Sequence, residues 1–313
     1  MTFYLGIDVS SKSLDVALST ADTPMQCSQY ANTPAGVKKL LKALAAHAVQ
    51  HVVLEATGGY EMRVLEALAT QYPTTRIASH RGAAFARSLG RFAKTDRTDA
   101  MVLAHMAQTI PPQPYVPLDP AQRHLRGLVK GRDQLVQQRD DNRRRIKQAD
   151  SAPVRVALER VNALLEKEIR ALEARLRDAA DACDAERACQ LSQVPGVGKV
   201  TVATLLAFLP ELGRCTNRQV SALVGVAPYT QQSGRRDGPR QIMAGRPFVR
   251  RVLYMAALAA IRSKASPLRA HYLALRARGK AAKVAIVACM RKLLITLNAM
   301  VRNNTPWQGM AAA

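Results

Sequence analysis

The chain has 313 residues, with 46 Lys and Arg against 23 Asp and Glu, a formal net charge of +23. At about 150 residues per domain this is chain enough for two domains. A hydrophobic content of 48% excludes a disordered protein, and an aromatic content of 4% argues against rows of stacked rings as the main binding mode. The excess charge calls for a polyanionic partner, nucleic acid before membrane.

That charge is concentrated. Residues 1–110 carry 11 basic and eight acidic side chains, and residues 111–186 carry 15 and 13. Residues 187–313 carry 20 and two, a net +18, which reads as a localised electrostatic footprint. Residues 1–6 lack the basic and apolar regions of a secretory signal, so a cytoplasmic protein is expected. The longest apolar run, 252–261, is about half of what a membrane span needs, so no membrane partner is expected. Five cysteines without a CxxC pair and six histidines without ligand spacing predict reduced thiols and no zinc site.

In chain order, residues 3–9 and 14–18 read as a β-hairpin around a polar turn, with a third strand near 26–31. Pro34 suits the first turn of a helix reaching 46. A short strand, 52–54, runs into Glu55. A helix over 60–70, a strand at 76–78 and helices over 82–91 and 96–109 follow. Strands in a hairpin and then alternating with helices predict an α/β domain with a mixed sheet over 1–110. Prolines 111, 112, 114, 117 and 120 mark its end.

Residues 111–186 read as a proline-rich linker followed by coiled-coil helices. Leu125, Leu128, Arg132, Leu135, Arg139 and Asn142 keep 3-4 spacing. After a break near Pro153, so do Leu158, Asn162, Leu165, Ile169, Leu172 and Leu176. Such seams suit both self-association and a helical hairpin within one chain. Residues 187–313 predict a mostly α-helical domain, with helices over 199–209, 217–224, 247–262, 267–277 and 280–301.

Four carboxylates stand out by position: Asp8 at the end of the first strand, Glu55 at the end of another, and Asp96 and Asp99 at a helix start, where i,i+3 spacing puts both on one face. Singly, each has a plain structural reading; Asp96 or Thr95, for example, can cap the helix. Together they can meet at one sheet edge. Such a cluster is costly unless a cation neutralises it, and hard divalent ions suit oxygen ligands. In the basic segment, Pro195-Gly196-Val197-Gly198-Lys199 precedes a helix. It forms a helix–hairpin–helix-like turn whose amides can hold a phosphate without reading sequence. Downstream, Ser233 and Gly234 open a loop containing Arg235, Arg236 and Arg240. Arg250 and Arg251 lie on the next helix as further phosphate contacts.

These blocks resemble the DEDD transposases of the insertion-sequence one-ten family, which includes the pilin-gene invertases. The likeness runs through Gly6-Ile7-Asp8, Leu54-Glu55-Ala56-Thr57-Gly58, Lys94-Thr95-Asp96-Arg97-Thr98-Asp99, Pro195-Gly196-Val197-Gly198, Ser233-Gly234 and Arg250-Arg251-Val252-Leu253-Tyr254, in family order. The resemblance implies an RNase-H-like (RuvC-like) N-terminal domain in which Asp8, Glu55, Asp96 and Asp99 bind Mg2+, or Mn2+ in its place. It implies Ser233 as a nucleophile that joins covalently to DNA. It also implies a homo-oligomer, dimer or tetramer, assembled through the coiled coil. There the acids of one protomer meet the serine of another, and a structured noncoding RNA guides recombination of donor and target double-stranded DNA. The departure at Asp237 and Pro239-Arg240-Gln241, where relatives are often more basic, bears on loop contacts. Two other readings share these residues: a junction-resolving nuclease in which metal-activated water attacks, and a nucleic-acid scaffold with a vestigial acidic site.

Overall fold

The computed structural model describes residues 1–20, 24–90, 95–109, 113–229, 241–264 and 266–308, together with the backbone pairing of 232–233 with 236–237. It is a mixed α/β structure, mostly helical, that divides into two compact units, Met1–Pro117 and Leu118–Ala313.

The first unit contains β1 (Thr2–Val9), β2 (Ser13–Ser19), β3 (Gln26–Ala31), α1 (Pro34–Leu44), β4 (Ala48–Glu55), α2 (Met62–Ala69), β5 (Thr74–Ile77), α3 (Ser79–Ser88) and α4 (Asp96–Thr109). Its sheet has the order β3-β2-β1-β4-β5, with β2 antiparallel to both neighbours and β1, β4 and β5 parallel. The hairpin, the third strand and the alternation seen in the sequence are all present. Alternation divides the faces. Leu5, Ile7 and Val9 of β1 and Leu14, Val16 and Leu18 of β2 bury themselves against Val37 and Leu40 of α1 and Val64, Leu65 and Leu68 of α2. The opposite face offers Gly6 and Ala17 to Ala100 and Ala104 of α4, and Val53 and Ile77 to Leu103 and Met106.

The proline-rich stretch does not leave this unit at residue 110. Tyr115 donates its amide to the Thr74 carbonyl (2.6 Å), and the Thr75 hydroxyl donates to Gln113 O (2.9 Å). Those bonds hold the segment against β5, the edge strand of the sheet.

The second unit contains α5 (Pro120–Gln148), α6 (Ala152–Ser192), α7 (Lys199–Phe208), α8 (Asn217–Val224), β6 (Pro228–Tyr229), β7 (Gln232–Ser233), β8 (Arg236–Asp237), β9 (Gln241–Ile242), α9 (Pro247–Arg262), α10 (Pro267–Ala277) and α11 (Ala282–Asn303). The two heptad seams meet within one chain. Arg132 bridges Glu173 (2.7 Å), Arg143 bridges Glu166 (2.7 Å), and Asn142 donates to Leu158 O (2.7 Å), a pattern that makes α5 and α6 an antiparallel hairpin. Helix α6 breaks at Asp184, whose carboxylate accepts from the Arg187 amide (3.0 Å) and so caps the last stretch of helix. That stretch enters the same hydrophobic core as α7–α11, so the connector and the C-terminal helices are one unit.

Helix α11 is the one described helix with the length and hydropathy of a membrane span, a feature that an uninterrupted-run criterion overlooks because Arg291 and Lys292 divide it. About half of its apolar stretch is taken up by the core, where Cys289, Leu293, Leu294 and Leu297 are fully buried against neighbouring helices.

Candidate active site

Asp8 and Glu55 each stand one residue beyond the paired Ile7 and Leu54 of the parallel strands β1 and β4, so the sheet brings both to one edge. Asp8 lies on the face of β1 that carries Gly6, the face covered by α4. Because residue 6 has no side chain, the backbone of α4 rests directly on β1 at Ala100 and Ala104, immediately after the first turn of α4. Thr95 caps that turn: its hydroxyl accepts from the Thr98 amide (3.1 Å) and its carbonyl from the Asp99 amide (2.9 Å). Asp96 is thereby released from capping, and the exposed Asp96 and half-buried Asp99 sit at the positive end of the helix.

The consequence is visible at Asp8, whose pKa is pushed up to about 6. Burial is the largest cause, followed by repulsion from Asp96, Asp99 and Glu55; a hydrogen bond from the Val9 amide opposes them. Four carboxylates from two strands and a helix therefore share one electrostatic neighbourhood. Among the described residues no three His, Cys, Asp or Glu side chains are already gathered around one point as ready-made metal ligands. The donors are nonetheless of the kind a hard divalent cation takes, and the repulsion that Asp96, Asp99 and Glu55 add to the burial of Asp8 is what such a cation relieves. By this chemistry the residues fit a divalent ion.

Two further acids support the site: Asp15, which the sequence places in the second strand of the hairpin, and Glu61, which the sequence does not single out. Asp15 is paired directly opposite Asp8, on the same face, and accepts from Gln29 Nε2 (2.9 Å). Glu61 is buried and accepts from the amides of Thr57 (3.1 Å) and Gly59 (2.8 Å) while bridging Arg76 (3.0 Å). It thus fastens the loop that follows Glu55. Burial alone would raise the Glu61 pKa, but the amides and the Arg76 guanidinium hold it below the usual range. The sequence signal was an acid two residues after a Gly-Gly turn, which is too common to single out.

In the second unit, Ser233 lies in β7, paired with Arg236 of β8, on an excursion framed by the β6–β9 pair. Arg235 and Arg240 lie outside the described residues. The frame is pinned where Gly225 and Gly245, both at positive φ, pack backbone to backbone. Arg246 strengthens it with a bidentate bridge to Glu211 (2.6 Å for each bond). Arg250 donates to the carbonyls of Val224 and Ala244, and the half-exposed Arg251 bridges Asp133 of α5. Both arginines thus have structural partners. In the turn before α7, Gly196 (φ +89°) packs against the backbone of α9 at Ala256 and Ala260, whereas Gly198 and Lys199 are exposed at the helix start.

A family model described as a transposase of the DEDD, IS110 type matches residues 5–149, and one described as the transposase IS116/IS110/IS902 family matches residues 188–273. The chain is 26% identical to a "Pilin gene-inverting protein" of Moraxella lacunata over 97% of both chains. It is also 26% identical to the protein of that name in Moraxella bovis over 97% of both. One family thus accounts for the sheet domain with α5, where the carboxylates lie, and for the helical segment that carries Ser233. The chain belongs to the IS110 family of transposases.

Proposed function

We propose that this transposase is a Mg2+-dependent recombinase of mobile double-stranded DNA that works through a serine–DNA ester, with a structured noncoding RNA choosing donor and target. The observation that carries the reading is the convergence of Glu55, Asp96 and Asp99 on Asp8, whose proton affinity they raise together with burial. The strand order, in which β2 alone runs antiparallel to the rest, supports an RNase-H-like domain.

Asp8, Glu55, Asp96 and Asp99 would hold the Mg2+, or Mn2+ in its place. When bound, the ion polarises the phosphate and steadies the departing oxygen. The Ser233 hydroxyl attacks phosphorus: a new P–O bond to serine forms, the P–O bond to the departing DNA oxygen breaks, and that oxygen takes up a proton as serine gives one away. The ester conserves the energy of the broken bond, so attack by another DNA hydroxyl rejoins strands without ATP. Gly196, Gly198 and Lys199 at the α7 turn, with Arg235, Arg236, Arg240, Arg250 and Arg251, hold phosphates on the +18 segment.

Assembly of a homo-oligomer through α6 has its own support. The seam bearing Leu158 and Ile169 is used by the hairpin, yet Val154, Val161 and Leu164 remain 51%, 50% and 59% exposed at heptad spacing on another face.

Denaturing gels of the protein reacted with nicked donor DNA test the chemistry. A covalent adduct that disappears in both Ser233→Ala and Asp8→Ala, while duplex binding persists, is the expected result. Strand cutting by wild type without any adduct would transfer the chemistry to activated water, as in a resolving nuclease.

A further inference from the structure

We infer that the cleft between α9 and α11 receives one unstacked base of the bound DNA, beside the segment that carries Ser233; this subsite rests on the recombinase reading. The cleft has a volume of about 340 Å³ and is lined by Ile242 of β9, by Pro247, Arg250, Arg251 and Tyr254 of α9, and by Val287 and Met290 of α11. That volume falls in the range of small-ligand sites, about 300–1,000 Å³.

Its chemistry selects the occupant. The walls are apolar, one aromatic ring faces inward, and the polar groups are two guanidiniums and a phenol. Among the described residues no carboxylate lines the cleft, and Asp133, which pairs with Arg251, is not among its lining residues. A ligand with a flat, weakly hydrated part and an attached anion fits this arrangement, and a nucleotide unit within a DNA strand is such a ligand. Both arginines are fixed in place, Arg250 by the carbonyls of Val224 and Ala244, and Arg251 by Asp133 and by the Phe248 ring 5.9 Å away. A guanidinium has five donors, so these contacts orient each group without exhausting it.

The surface leading to the cleft points the same way. Tyr229, Ile242 and Met243, on and beside the β6–β9 pair, are 40%, 36% and 45% exposed. Adjoining apolar side chains left in water at the rim of a basic cleft suit a face that meets bases, as the wedges of DNA-distorting proteins do. Extruding a base carries an unstacking cost that is least where the base is already unpaired. Contact with Tyr254 and the apolar walls offsets that cost, and Arg250 and Arg251 take the flanking phosphate.

The test uses the full chain and three duplexes of one sequence: perfectly paired, with a central one-base bulge, and with an abasic bulge that keeps the sugar and phosphate. Wild type is expected to bind the base-containing bulge about tenfold or more tighter than either control. Val287→Trp, which fills the cleft, and Tyr254→Ala, which removes the ring, should each erase that preference while leaving affinity for the paired duplex near wild type. Equal binding of all three duplexes by wild type, or a preference that survives in both variants, overturns the inference while the recombinase reading stands. Failure of wild type to bind any of the duplexes overturns both.

Discussion

Gly6 of β1 lies directly beneath the backbone of Ala100 in α4: a β carbon at residue 6 would overlap the Ala100 carbonyl and the Ala104 amide. The close approach sets the height of α4 above the sheet, and with it the distance from Asp96 and Asp99 to Asp8. Gly6→Ala must therefore lift the helix start. Overpacking of this kind costs about 1–3 kcal/mol, so a lower thermal midpoint is expected. DNA cutting should fall by more than that loss of folded protein explains, because the carboxylates separate. Melting curves paired with adduct formation at a temperature where the variant is fully folded will check this.

Asp8→Asn separates stability from activity at the same place. Ionised Asp8 is opposed by its burial and by Asp96, Asp99 and Glu55. An amide of the same shape removes that conflict. The metal-free variant should melt higher than metal-free wild type at pH 7–8, and the stabilisation that Mg2+ gives wild type should shrink. Adduct formation should be lost. Calorimetric scans with and without the ion distinguish this from a merely structural aspartate, whose replacement would lower the midpoint.

Glu61→Gln tests the clamp behind Glu55. The folded-state pKa of Glu61 lies below the ordinary glutamate value, held there against its own burial by two loop amides, its own amide and Arg76. Its ionised form thus contributes stability that is fully present above the unfolded-state pKa and is lost as pH falls through the depressed folded value. The variant should be less stable than wild type at pH 7 by about 1–3 kcal/mol. The gap should narrow as the pH drops below 4. Urea midpoints at pH 7 and pH 3.5 measure it, and a gap that stays constant would mean that Glu61 acts by shape alone.

Much of the architecture was legible because periodicity reports burial. Apolar runs on either side of a polar turn marked β1 and β2, and α1, α8, α9 and α10 were placed within a residue or two of their ends. The β6–β9 and β7–β8 pairs were not legible, since strands of two residues have no period to detect. Nor does a heptad seam say which helix it meets: α5 and α6 close on each other through contacts 41 residues apart, such as Arg132 with Glu173. At the acidic site, position along the chain suggested four residues that could converge. What brings Asp96 and Asp99 to Asp8 is a glycine two residues earlier on β1, and nothing in a linear reading marks Gly6 as a packing surface. Glu61 was hidden for a related reason, because its partner Arg76 comes from another element, β5.

Asn298 gives the sharpest test of how the serine-bearing segment is supported. It is fully buried in α11, and its Oδ1 accepts from the Gly213 amide (2.8 Å). Its Nδ2 donates to Cys215 O (2.9 Å) and to Asn217 Oδ1 (3.2 Å). One side chain thereby ties the core helix to the loop between α7 and α8. Helix α8 in turn ends at Gly225, against which Gly245 packs to close the base of the Ser233 excursion. Asn298→Leu is close in volume but leaves the Gly213 N–H without its acceptor, while the Cys215 carbonyl keeps the bond that Arg302 donates. The unpaired amide costs about 1–3 kcal/mol, so a loss of about that size in denaturant unfolding is expected. Hydrogen exchange at Gly213 should accelerate more than exchange within α7. If α8 transmits the loosening, adduct formation through Ser233 should fall while affinity for duplex DNA changes little, since none of the side chains proposed to hold phosphates has been altered. Unchanged exchange at Gly213, or an intact yield of adduct in a variant destabilised by this amount, would show that the loop and the serine segment are held independently of α11.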